Sequence, residues 1–309
     1  MTMKSHLQNT SMPMRVFFVA LGIALAIVLW AQLEKLKITV KQEGGTYSEG
    51  FIGTPRFINP VLAQTQIDRD ITRLVFTPLL TVNNDREINY RILENLEQSA
   101  DGKTYTLTLK NNILFEDGNL LTSEDVAFSI ETIQDPLIKS PLEDHWQGVS
   151  VEVIDIHTLK LTLSKNFPDF IYTLQIGVLP KHIWQDIGPQ EFAFSTYNTQ
   201  PIGNGPYKIL NIQEKESGAP VAYELDASKK SIERPYIQNL NFKFYENEST
   251  LQTALEKGKI NGAYGLSADK LSDVKNIENQ DLPRVFGLFF NQARQPILSS
   301  ERIRKAINL

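Results

Sequence analysis

Cysteine is missing altogether from the 309 residues, which removes disulfides, thiolate metal sites and a cysteine nucleophile in one step. Histidine is scarce: His6, His145, His157 and His182 show no metal-ligand spacing. No G-x-S-x-G elbow occurs, and the glycine-rich Gly203–Gly205 lacks the lysine and spacing of a phosphate loop. Lysine and arginine do not cluster and the net charge is -5, which excludes a nucleic-acid binder held by phosphate neutralisation. The carboxylate pairs Glu116-Asp117 and Glu124-Asp125 fall where a turn or a helix N-terminus welcomes negative charge, so their expected role is structural. No enzyme, no cofactor, no metal and no nucleic-acid partner are expected.

What is present begins with eighteen uncharged residues, Val16 to Leu33, preceded by Lys4 and Arg15 and followed by Glu34, Lys35 and Lys37. At ~1.5 Å per residue the run spans roughly 27 Å, enough for a bilayer core. Basic residues before it predict a cytoplasmic N-terminus over 1–15, a transmembrane signal anchor over 16–33 and an extracytoplasmic remainder, in the periplasm or at the cell surface. A cleaved signal peptide is the competing reading, since Ala24 and Ala26 form a small-x-small pair, but Ile27 to Trp30 prolong the apolar run beyond them. Beyond residue 31, 29 Lys and Arg face 36 Asp and Glu, a mildly acidic balance.

The exported part alternates strand and helix patterns. Gly45–Gly53 reads as an opening strand that breaks at Gly53, Thr54 and Pro55. From Asp68, read as an N-cap, Ile71, Leu74 and Val75 follow helical spacing until Pro78. Glu97–Leu109 predicts a hairpin turning at Asp101-Gly102, with Tyr105, Leu107 and Leu109 on one face. Thr122 opens a helix with Asp125 three residues on and a Val126, Ile130, Ile133 stripe. A second hairpin alternates Val149, Val151 and Val153 against Leu159, Leu161 and Leu163. Strand Asn239–Tyr245, helix Glu248–Lys257 and strand Lys259–Tyr264 then form a βαβ unit, which implies a parallel pair.

Within this frame DGKTYTLTLKNNILFEDGNLLTSEDVAFS, Asp101 to Ser129, resembles the signature of bacterial extracellular solute-binding proteins of family 5, the oligopeptide and dipeptide binders of ABC importers. PIGNGPY (Pro201–Tyr207), VLPKHIW (Val178–Trp184) and RIRKAI (Arg302–Ile307) are similar to further landmarks of that family, in order. Asn111 to Leu114, Leu120 or Leu121, and Asn204 depart from its usual residues.

The resemblance implies an α/β fold, the type II clamp of periplasmic binding proteins. Its N-terminal lobe would comprise 44–60 and 176–290 around an inserted antiparallel-rich α+β subdomain, 61–175. The hinge crossing and the start of a second lobe would occupy 291–309. Because the RIRKAI helix ends the sequence, the second lobe is expected to be truncated. The implied function is peptide capture for an ABC permease by a membrane-tethered, monomeric protein, with a non-peptide solute such as a nickel chelate, or a chaperone-like surface role, as alternatives. Gly53, Thr54 and Pro55 match the segment whose backbone meets the ligand, with an ordinary Gly-Pro turn as the alternative; Tyr264 matches an aromatic lining the pocket, with a core tyrosine as the alternative; and Asn291 matches a position at the hinge that either touches ligand or satisfies hinge backbone. The acidic residue that takes a peptide amino group belongs to the second lobe.

Overall fold

The computed structural model describes residues 12–35, 43–83, 85–267, 297 and 300–303. The first element is α1, Met12–Lys35. Its described side chains from Val16 to Ile27 are exposed, and among the described residues no helix is long and apolar enough to cross a membrane.

Two sheets organise the rest. The strands are β1 Thr46–Ile52, β2 Leu80–Val82, β3 Ile88–Tyr90, β4 Leu93–Gln98, β5 Thr104–Leu109, β6 Val149–Val153, β7 Thr158–Leu163, β8 Tyr207–Glu214, β9 Pro220–Ala227, β10 Asn239–Tyr245 and β11 Gly262–Tyr264. One sheet has the order β11-β1-β10-β9-β8, the other β4-β5-β7-β6, and β2 pairs with β3 alone.

The antiparallel sheet is the two predicted hairpins laid side by side, with β5 against β7. Tyr105, Leu107, Leu109, Leu159, Leu161 and Leu163 point inward from it and α3, Ser123–Gln134, covers them with Val126, Ile130 and Ile133. Each such side chain removed from water stabilises by roughly 1.5–3 kcal/mol before entropy is counted. A second core lies on the five-stranded sheet, where Phe51, Leu240, Phe242, Tyr223 and Leu225 meet Ile67, Ile71 and Val75 of α2, Gln66–Val75.

Two local expectations change. Asp68 is not the N-cap of α2: Thr65 is, its hydroxyl accepting from the Asp68 N–H at 3.1 Å, while the Asp68 carboxylate accepts from the Thr65 N–H at 3.0 Å. That reciprocal pairing is a capping box, with the acid three residues inside the helix. The strands β10 and β11 are parallel as the βαβ pattern predicts, but they do not pair with each other, because β1 lies between them. The helix Glu248–Glu256 that links them passes over β1 at Gly50, where a Cβ would come within 2.4 Å of a Leu251 methyl and 2.6 Å of an Ile260 methyl.

The chain divides into compact units at Gly265 and Leu266. Of the second unit the described part includes the helical residues Glu301–Ile303, and the rest of the predicted RIRKAI helix lies outside the described residues.

Candidate ligand-binding site

The place of β1 between β11 and β10 brings three strand ends together. Ile52, the last residue of β1, stands opposite Tyr245, the last of β10, and Phe51 stands opposite Tyr264, the last of β11. In open α/β sheets the carboxyl ends of parallel strands are where ligands bind, because the loops there are free to diverge while the sheet fixes their roots. Gly53, Thr54 and Pro55 form the loop leaving β1 at this edge. The Gly53 N–H donates to the Tyr245 carbonyl at 2.9 Å, and its φ of +89° belongs to the region that glycine adopts without strain. Gly53 and Thr54 are exposed and Pro55 is buried. Tyr264 is half-buried, its ring centroid 6.0 Å from that of Phe51, so one side of it belongs to the core. A cavity of about 390 Å³ runs over β9 and β10 and reaches Tyr245. Asn291 lies outside the described residues.

The loop is held from below by a residue that the sequence reading assigned only to helix capping. Asp68 has no exposed surface, and its carboxylate accepts four backbone N–H groups. One oxygen takes Arg56 at 2.7 Å and Phe57 at 3.1 Å, the other Thr65 at 3.0 Å and Gln64 at 3.3 Å. Buried charge survives only with such saturation. The Arg56 side chain is exposed, its guanidinium 4.8 Å from the centroid of the Phe57 ring. In β1, burial raises the Glu49 carboxyl above the usual range, helped by the nearby Asp70 charge. Glu246, just past β10, is held below the usual range by its bond to Lys215 at 2.7 Å.

The family profile for bacterial extracellular solute-binding proteins, family 5 (Middle), matches residues 87–309. The chain belongs to this family. Among curated relatives, the oligopeptide-binding protein AppA of Bacillus subtilis is 22% identical over 286 residues, covering 86% of this chain and 50% of AppA. The probable D,D-dipeptide-binding periplasmic protein DdpA of Escherichia coli is 25% identical, covering 84% of this chain and 51% of DdpA. Among solved structures, NikZ of Campylobacter jejuni in complex with Ni(L-His) is 28% identical at a TM-score of 0.63, over 71% of this chain and 43% of NikZ. The chain thus spans about half the length of the curated relatives it matches, and these relatives are binding proteins rather than enzymes.

The family 5 landmarks earn their residues through contacts with one another. Asp125 closes the capping box of α3 with Thr122 and also accepts the Lys181 N–H at 2.8 Å; Ser129 accepts the Leu179 N–H at 2.8 Å. The SEDVAFS helix therefore holds VLPKHIW in place. Glu124 adds an exposed ion pair with Lys181 at 2.9 Å. PIGNGPY lies against the end of α2: a Cβ on Gly203 would fall 2.0 Å from the Val75 carbonyl oxygen, and the Gly205 N–H donates to that oxygen at 2.7 Å. Asn204 accepts the Thr77 N–H at 3.2 Å. Both glycines thus answer to backbone contact.

The second carboxylate pair also has structural partners. Asp117 accepts from Asn119 N–H at 3.0 Å and sits 2.7 Å from His182 Nε2. Glu116 donates its N–H to the Gly203 carbonyl at 2.8 Å, and its half-buried side chain lines a cleft of about 410 Å³ beside β8. Burial pushes that carboxyl up to about 7, with Asp117 adding to the rise and Lys208 and Lys230 opposing it.

Proposed function

We propose that the chain is the extracytoplasmic substrate-binding component of an ABC importer, capturing peptides and delivering them to the permease. The observation that carries this reading is the meeting of Gly53–Pro55 and Tyr264 at the carboxyl ends of parallel strands in a chain of family 5. An exposed loop root beside β1 offers backbone groups to an extended ligand much as a neighbouring strand would, leaving the ligand side chains in hydrated space. Binding would select a closed clamp, and closure would be the signal read by the permease. AppA, whose solved structure is in complex with a nonapeptide, and DdpA, a probable D,D-dipeptide-binding protein, support peptide as the ligand class.

In the same reading the described parts of 44–60 and 176–290 belong to a first lobe that carries an antiparallel-rich insertion within 61–175, the α2 segment of that stretch packing on the five-stranded sheet. The protein acts as a monomer without catalysis. A membrane tether through the uncharged run Val16–Leu33 belongs to the same reading, supported by the exposure of Val16, Phe17, Phe18 and Leu25, although among the described residues no helix is long and apolar enough to cross a membrane.

Isothermal titration of the detergent-solubilised full chain with di-, tri- and penta-alanine tests the ligand class. Saturable heats shared by peptides of different length support it. Heat with nickel-histidine and none with any peptide would overturn it in favour of a chelate binder.

A further inference from the structure

We infer that Asp68 is the positioning residue of the ligand loop: it fixes where the backbone leaving β1 presents itself to ligand while taking no contact with ligand. This rests on the reading of Gly53–Pro55 as a ligand loop. The carboxylate is fully buried, and its two oxygens divide the work. One binds the Thr65 and Gln64 N–H groups and so belongs to the helix start. The other binds the Arg56 and Phe57 N–H groups, which lie immediately after Pro55 and have no part in capping α2. A capping box needs only the first oxygen. The second therefore ties the loop to a helix whose Ile71 and Val75 are fully buried in the core on the five-stranded sheet.

The loop is thereby pinned at both ends, by Gly53 N–H on the Tyr245 carbonyl at 2.9 Å and by Arg56 N–H on Asp68 at 2.7 Å. Only Thr54 and Pro55 stand between. A ligand that reads backbone geometry gains from such preorganisation, because the loop need not be ordered at the moment of binding.

The test compares Asp68→Asn with Thr65→Ala in the full chain. Asparagine keeps the shape but turns an NH₂ towards one pair of backbone donors and removes the charge that strengthens the bonds of the other, so whichever way the amide faces the Arg56 and Phe57 bonds fail or weaken. Thr65→Ala removes the hydroxyl bond of the cap and leaves all four carboxylate bonds. Amide exchange across 53–57 and titration with tri-alanine are read on both. Asp68→Asn is expected to speed exchange there by about tenfold or more and to weaken tri-alanine binding by about tenfold, the scale of one hydrogen bond to a charged group. Thr65→Ala should lower the unfolding midpoint while leaving loop exchange and affinity as they were. Unchanged exchange in a folded Asp68→Asn protein, or faster exchange with unchanged affinity, would overturn the inference. If the unaltered protein takes up none of di-, tri- and penta-alanine, the peptide reading falls, and loop exchange alone then decides for or against Asp68 as the pin.

Discussion

Replacing Glu116 with glutamine should flatten the pH dependence of stability between about pH 5 and 7.5 and stabilise the protein at pH 8. The Glu116 carboxyl is raised from 4.5 to about 7, burial being the main cause. Because the folded state holds this proton more tightly than the unfolded chain, its contribution is full below the unfolded value and is lost as pH rises through about 7. At ~1.36 kcal/mol per pH unit the ceiling is ~3.4 kcal/mol. Glu116 keeps partial access to water and has Lys208 and Lys230 nearby, so about 1–2 kcal/mol is the expected size. Glutamine imitates the protonated side chain and never ionises. Urea unfolding followed by circular dichroism at pH 5, 6, 7 and 8 gives the answer. The reasoning fails if both proteins lose stability in parallel across that range, or if the glutamine variant is the weaker at pH 8.

Gly203→Ala should cost about 2–4 kcal/mol, because a methyl 2.0 Å from the Val75 carbonyl oxygen forces backbone apart. Gly188→Ala, with nothing within 4 Å of the new methyl, should be near neutral in the same urea titration. Asp125→Ala should cost about 2–3 kcal/mol through the lost cap and the orphaned Lys181 N–H, whereas Glu124→Gln, losing an exposed pair, should change the midpoint little. Tyr264→Phe should preserve stability, since the ring contact with Phe51 remains, while Tyr264→Ala should lower both stability and tri-alanine affinity.

The elements legible in the sequence are those whose pattern is local. The hairpins Glu97–Leu109 and Val149–Leu163 and the helix from Thr122 carry their periodicity and turn residues within a few positions, and the structure has them where expected. What was not legible depends on partners far along the chain. No pattern in Asn239–Tyr264 announces that β1, nearly two hundred residues earlier, separates β10 from β11. The same holds for Asp68: Thr65-x-x-Asp68 signals a capping box, and nothing nearby says that the second carboxylate oxygen reaches back to Arg56 and Phe57. The only available hint was an acid inside an otherwise apolar helical face. Of the site, Gly53–Pro55 and Tyr264 were selected by motif resemblance, and their shared place at one sheet edge came from the strand order.

The most direct measurement is amide exchange of the full chain with and without saturating tri-alanine, resolved over the described peptides. The account predicts slower exchange confined to the edge where Gly53–Arg56, Tyr245–Asn247 and Tyr264–Gly265 lie together, with the β4-β5-β7-β6 sheet unchanged. Protection concentrated in that antiparallel sheet, or along the cleft beside β8, with none at the strand ends would contradict it.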